Sequence, residues 1–143
     1  MSKLRGQKLE WRNLRLGNNV ETLPLPKTNA LEILAEIDLP TATNVQLEIK
    51  SGAKDAQPIV VNFNGSELKV MDAIAPLSLA KGERKLTLHI FIDRSVLEVF
   101  ANETVCITKI ISPLDASATL KISAGGDAAN ARLVQAWPIK SIW

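Results

Sequence analysis

The feature that most constrains this chain is the stretch 86–111, where apolar and polar side chains alternate with a period of two. In an extended strand that period places Leu88, Ile90 and Ile92 on one face and Thr87, His89, Phe91 and Asp93 on the other. A tight turn at Arg94 and Ser95 sets Ile92 opposite Leu97 and Ile90 opposite Val99. One face of this hairpin is then uniformly aliphatic, and a slip of one residue would turn that whole set toward water. The other face collects His89, Phe91, Glu98 and Phe100. Arg-Ser suits a two-residue turn poorly, so Asp93 is expected to support it by accepting hydrogen bonds from the turn amides.

The same period recurs along most of the chain. Val45, Leu47 and Ile49 alternate with Gln46, Glu48 and Lys50 until Ser51 and Gly52 end the run. Stretches 58–62 and 68–71 read as a pair joined through Asn64 and Gly65, a strong hairpin dipeptide. A turn at Asn102 and Glu103 leads into a strand over 105–111, which Ser112 and Pro113 stop. Two further strands, 119–124 and 131–137, are separated by Gly125, Gly126 and Asp127, and Pro138 closes the second. Helix-length amphipathic stretches are lacking, and about nine to twelve short strands fit an all-β, two-sheet antiparallel β-sandwich. With 143 residues, a single domain over 1–143 is expected, its irregular segment 1–26 serving as linker or edge strand.

Charge and composition remove several classes of function. The 17 basic and 15 acidic residues are scattered, with no basic block to neutralise a run of phosphates, so nucleic acid is not an expected partner. Neither a signal-peptide core nor a membrane-length apolar run is present, which as written predicts a cytoplasmic chain without membrane contact. Cys106 is the sole cysteine; it cannot form an internal disulfide, and its apolar surroundings predict a buried free thiol. With one cysteine and one histidine, neither a Cys/His metal site nor a nucleophilic pair is supported, and no cofactor is expected.

Paired carboxylates deserve weighing because glycoside hydrolysis uses two of them across the scissile bond. Asp93 and Glu98 share a face of the hairpin, but no third polar group tunes either one, so turn support and a solvated or interface role describe them better. His89 has no Ser or Cys nucleophile at a motif spacing and reads as a surface or interface residue. The Gly125-Gly126 pair lacks the lysine and helix of a phosphate loop and reads as a turn. Asn64 and Asn102 each open a glycosylation sequon, which has no consequence in a chain without a secretory signal. Flat aromatic rings serve as stacking platforms for sugars. Tyrosine is absent, aromatic residues make up only 4% of the chain, and of Trp11, Trp137 and Trp143 the least constrained is Trp11, a weak candidate for carbohydrate contact.

The run 88–102, Leu-His-Ile-Phe-Ile-Asp-Arg-Ser-Val-Leu-Glu-Val-Phe-Ala-Asn, resembles the signature hairpin of the C-terminal β-sandwich of family 32 glycoside hydrolases, the invertases, levanases and inulinases. The ending 133–143, Leu-Val-Gln-Ala-Trp-Pro-Ile-Lys-Ser-Ile-Trp, is similar to the last strand and tail of that family. The likeness is strong over 86–111, fair over 118–143 and only positional over 32–72. Val96-Leu97 and Asn102-Glu103 depart from the usual residues of the turns.

The resemblance implies a jelly-roll of the concanavalin A-like lectin type. It also implies that nucleophile, transition-state-stabilising Asp and acid/base Glu belong to an N-terminal five-bladed propeller. The segments that carry them, Asn-Asp-Pro-Asn, Arg-Asp-Pro and Glu-Cys, do not occur in these 143 residues, so no catalytic residue carries over. The expected role is a non-catalytic accessory module that stabilises or partners a sucrose- or fructan-hydrolysing propeller. The alternative is an independent carbohydrate-binding, lectin-like module. The face with His89, Phe91, Glu98 and Phe100 is expected to meet a propeller or a second copy of the chain as a homodimer, or else to lie under another segment of the same chain.

Overall fold

A computed structural model describes residues 8–16, 20–26, 28, 30–39, 44–51, 57–79, 85–102, 104–111, 118–125 and 129–139. Among these are twelve strands and no helix: β1 (Leu9–Arg15), β2 (Glu21–Pro24), β3 (Ala30–Asp38), β4 (Asn44–Ser51), β5 (Ile59–Phe63), β6 (Glu67–Val70), β7 (Ala73–Pro76), β8 (Lys85–Asp93), β9 (Val96–Ala101), β10 (Val105–Ile110), β11 (Ala118–Gly125) and β12 (Asn130–Pro138). They form two six-stranded sheets, ordered β1-β12-β3-β8-β9-β10 and β2-β11-β4-β5-β6-β7. Every pairing is antiparallel.

Alternation along each strand builds the space between the sheets. Leu31, Ile33 and Ile37 of β3, Leu88, Ile90 and Ile92 of β8, and Leu97 and Val99 of β9 turn inward from the first sheet. Val45, Leu47, Ile49, Val61, Phe63, Leu68, Leu120 and Ile122 meet them from the second, and together they make one core cluster. The central hairpin has the expected register, with Ile92 opposite Leu97 and Ile90 opposite Val99. β8, β9 and β10 form a meander, and β5 and β6 pair through Asn64 and Gly65. There Asn64 Oδ1 accepts from the Ser66 and Glu67 amides at 3.0 and 2.8 Å, and Gly65 takes φ 101°, a conformation open to glycine.

β11 and β12 are consecutive strands that belong to different sheets. Residues 9–15 and 21–24 are edge strands, one on each sheet, and bury Leu16, Leu23 and Leu25 at their ends. The register between β12 and β3 shifts between Ala131 and Leu133, and opposite that point on β1 Asn13 takes φ 56°. The expected turn elements Gly52, Glu103, Ser112 with Pro113, and Gly126 with Asp127 lie outside the described residues, as do Trp143 and the rest of the 140–143 tail.

Two expectations are corrected. Cys106 is exposed: it sits on β10, an edge strand, where Ile107 takes the inward position and Cys106 faces out opposite Phe100. Asp93 does not support its turn, since its Oδ1 is buried with no hydrogen-bond partner. The turn is made instead by Arg94 at φ 56°, the positive φ that a two-residue hairpin needs at its first central position.

Asn102 shows why asparagine ends this hairpin. At φ 49° it bends the chain while its side chain reaches back to β8, accepting from the Thr87 amide at 2.7 Å and donating to the Lys85 carbonyl at 3.2 Å. Asn102→Ala is expected to cost about 2–3 kcal/mol, because it loses both bonds and places a Cβ-bearing residue without local compensation in the left-handed region. Asn102→Gly keeps the backbone freedom and loses only the bonds, so urea denaturation should place it between wild type and alanine. Equal midpoints for all three proteins would show that the tie to β8 contributes nothing.

Candidate functional site

The outward face of the first sheet carries the most chemistry. Register sets Glu32 of β3 between Trp137 of β12 and Phe91 of β8, with Glu98 of β9 next across. In the neighbouring row Leu34 lies between Gln135 and His89, and His89 faces Phe100. The fold therefore brings together His89, Phe91, Glu98 and Phe100 on one surface. The ring of His89 lies 4.4 Å from that of Phe91, and Phe100 meets Phe91 edge-on at 5.9 Å.

Sequence reasoning missed the centre of this face. Glu32 points away from the hydrophobic core and yet is only 2% exposed. Its Oε2 lies 2.5 Å from His89 Nε2, where a ring N–H donates to the carboxylate, while the His89 side chain stays one-third exposed at 33%. Trp137, at 7%, is buried on the same face. A carboxylate is kept out of water only where hydrogen bonds replace its hydration. The available signal was the apolar run of β3 interrupted at Glu32, but its meaning depends on a contact with His89, 57 positions further along the chain.

Beside the pair opens a hollow of about 580 Å³, lined by Leu34, Glu36, Thr87, His89, Phe91, Phe100 and Asn102. Glu36 reaches Arg132 at 3.2 Å. At the β1 edge Glu10 accepts from Gln135 at 2.6 Å and from Arg12 at 2.9 Å and pairs with Lys8, and these contacts hold its carboxyl down at about 2. Asp93 and Glu98 share the outward face with a residue pair between them. Trp11 lies opposite Val134, partly buried against the core. Among the described residues no group of three or more His, Cys, Asp or Glu is placed to hold a metal ion, and no helix is long and apolar enough to cross a membrane.

The family described as glycosyl hydrolases family 32 C terminal matches residues 1–138, and the chain belongs to it. Among solved structures, the fold is similar to that of fructan 1-exohydrolase IIa from Cichorium intybus, at 14% identity and TM-score 0.74, over 98% of this chain and 36% of that one. It is similar also to a fructofuranosidase from Schwanniomyces occidentalis complexed with fructose, at 13% identity and TM-score 0.70, over 96% of this chain and 34% of that one. An exo-inulinase from Aspergillus awamori matches at 16% identity and TM-score 0.68, over 99% of this chain and 31% of that one. The chain thus spans about a third of the length of these structures, and at such identities the likeness is one of fold. A comparison with curated proteins finds no match.

Proposed function

We propose that the chain is a non-catalytic accessory β-sandwich that packs on and stabilises a sucrose- or fructan-hydrolysing propeller, using the outward face of its first sheet. The observation that carries this reading is the cluster built around Glu32. An outward sheet face with a buried carboxylate, a histidine bonded to it and two half-buried phenylalanines is arranged for contact with protein rather than for open water. Family membership supports this choice of partner, since the matched region is the C-terminal part of glycoside hydrolases and the similar structures are about three times as long.

The test mixes the purified chain with a family 32 propeller from which the natural C-terminal domain has been removed. A 1:1 complex by size exclusion, a higher melting temperature of the propeller and loss of both with Glu98→Lys are the expected results. Alone, the chain should release no fructose from sucrose, levan or inulin. Steady hydrolysis abolished by Asp93→Asn or Glu98→Gln would overturn the non-catalytic reading. A concentration-dependent homodimer through the same face, with no affinity for the propeller, would overturn the partnering.

A further inference from the structure

On the opposite side of the sandwich, the outward face of the second sheet holds a ladder of polar heads. Gln46 of β4, Asn62 of β5 and Lys69 of β6 lie side by side in register. With neighbouring strands about 4.8 Å apart, the three span roughly 10 Å. Asn62 Nδ2 donates to Gln46 Oε1 at 3.3 Å, which orients the two amides. The ladder lines a cleft of about 760 Å³, within the range of small-ligand sites.

One wall of this cleft comes from the other sheet. Lys109 and Ile110 of β10 border it, and Lys109 Nζ lies 2.5 Å from Asp72 Oδ1 in the turn between β6 and β7, clamping the two sheet edges together. Met71, also at the cleft, is held at φ 55° with its amide donating to the Val60 carbonyl at 2.9 Å. A long side chain in the left-handed region is uncommon, and strain of this kind persists at sites of function. Ile110 borders the cleft at the β10 edge and is 73% exposed, its side chain sharing the face of Val96 and Glu98.

We infer that this cleft binds a neutral, polyhydroxylated carbohydrate. A hydroxyl group both donates and accepts, so a sugar satisfies amide oxygens, amide N–H groups and the ammonium of Lys69 together. A purely apolar ligand would dehydrate Gln46, Asn62 and Lys69 without replacing their hydrogen bonds. The Asp72 carboxylate, which Lys109 holds below the ordinary carboxylate range, adds a charged acceptor for hydroxyl groups at the rim. Val60 and Met71 offer apolar contact to the C–H faces of a ring. Because the Gln46–Asn62–Lys69 ladder and Glu32 lie on different sheets, the inference does not rest on the proposed docking.

The experiment titrates the full isotope-labelled chain with fructo-, malto- and xylo-oligosaccharides up to millimolar concentrations and follows the side-chain amide signals of Gln46 and Asn62 by NMR. At least one neutral oligosaccharide is expected to shift both. Asn62→Ala and Lys69→Ala should each weaken binding about three- to tenfold, the size of one hydrogen bond, while Arg12→Ala leaves it unchanged. The amide spectra report whether each variant is folded, and Lys69→Ala, at an exposed position, covers the case in which Asn62→Ala is not. Absence of shifts with every oligosaccharide, shifts confined to the first sheet, full affinity in both folded variants, or a preference for uronate oligomers over neutral ones would each overturn the inference.

Discussion

Ile90→Ala is expected to lower the stability of the protein by about 2–5 kcal/mol, and so the melting temperature by roughly 6–20 °C. Ile90 is fully buried between Ile33 of β3 and Val99 of β9, at the centre of the first sheet and facing the second. Truncation removes three methyl or methylene carbons from a position whose neighbours are fixed by two ladders, so the cavity cannot close by a simple shift. Thermal unfolding followed by circular dichroism measures the effect. An unchanged melting temperature would mean that the inward set of the central hairpin has been misplaced.

A second large effect is expected from the pair on the outward face, with an unequal split between its members. His89→Ala should cost about 2–3 kcal/mol, because it takes one N–H partner from a carboxylate that is 2% exposed. Glu32→Leu should cost less, about 1–2 kcal/mol, since His89 is one-third exposed and can turn to water while leucine fills the vacated volume. The more exposed residue is thus the costlier one to lose. Urea denaturation of both single variants and the double variant gives the order and the coupling. His89→Ala costing less than Glu32→Leu would show that the histidine does not sustain the buried carboxylate.

Where side-chain order alone decides structure, the sequence was readable. The β8–β9 register follows from strict alternation, because only one alignment puts Ile90, Ile92, Leu97 and Val99 on a common face. Asn64 and Gly65 announce their turn through local chemistry. Cys106 was misread because an apolar neighbourhood in sequence does not distinguish a central strand from an edge, and β10 has a partner on one side only. β1 is hard to see for a related reason: as an edge strand it needs few apolar residues, and the irregularity opposite Asn13 interrupts its period. Asp93 was assigned to the turn on chemical grounds that hold for many turns, whereas Arg94 takes the strained backbone itself. Neither Glu32 nor the Gln46–Asn62–Lys69 ladder was legible as a site, since each exists only once distant strands are placed side by side.

The position of β3 has a consequence for how the chain is made. Its two ladder partners are β8 and β12, so a chain synthesised from its N-terminus holds 30–38 with both edges bare until 85–93 and then 130–138 emerge. At ~5–20 residues per second that second wait lasts roughly 5 to 20 seconds. A strand carrying Leu31, Ile33 and Ile37 on one side is during that time a template for pairing with another nascent chain. Its opposite side carries Glu32, Glu36 and Asp38, three like charges that repel the same strand of a second copy. The carboxylate that ends buried against His89 in the finished sandwich thus belongs, before the sandwich closes, to a row of charges that opposes such pairing.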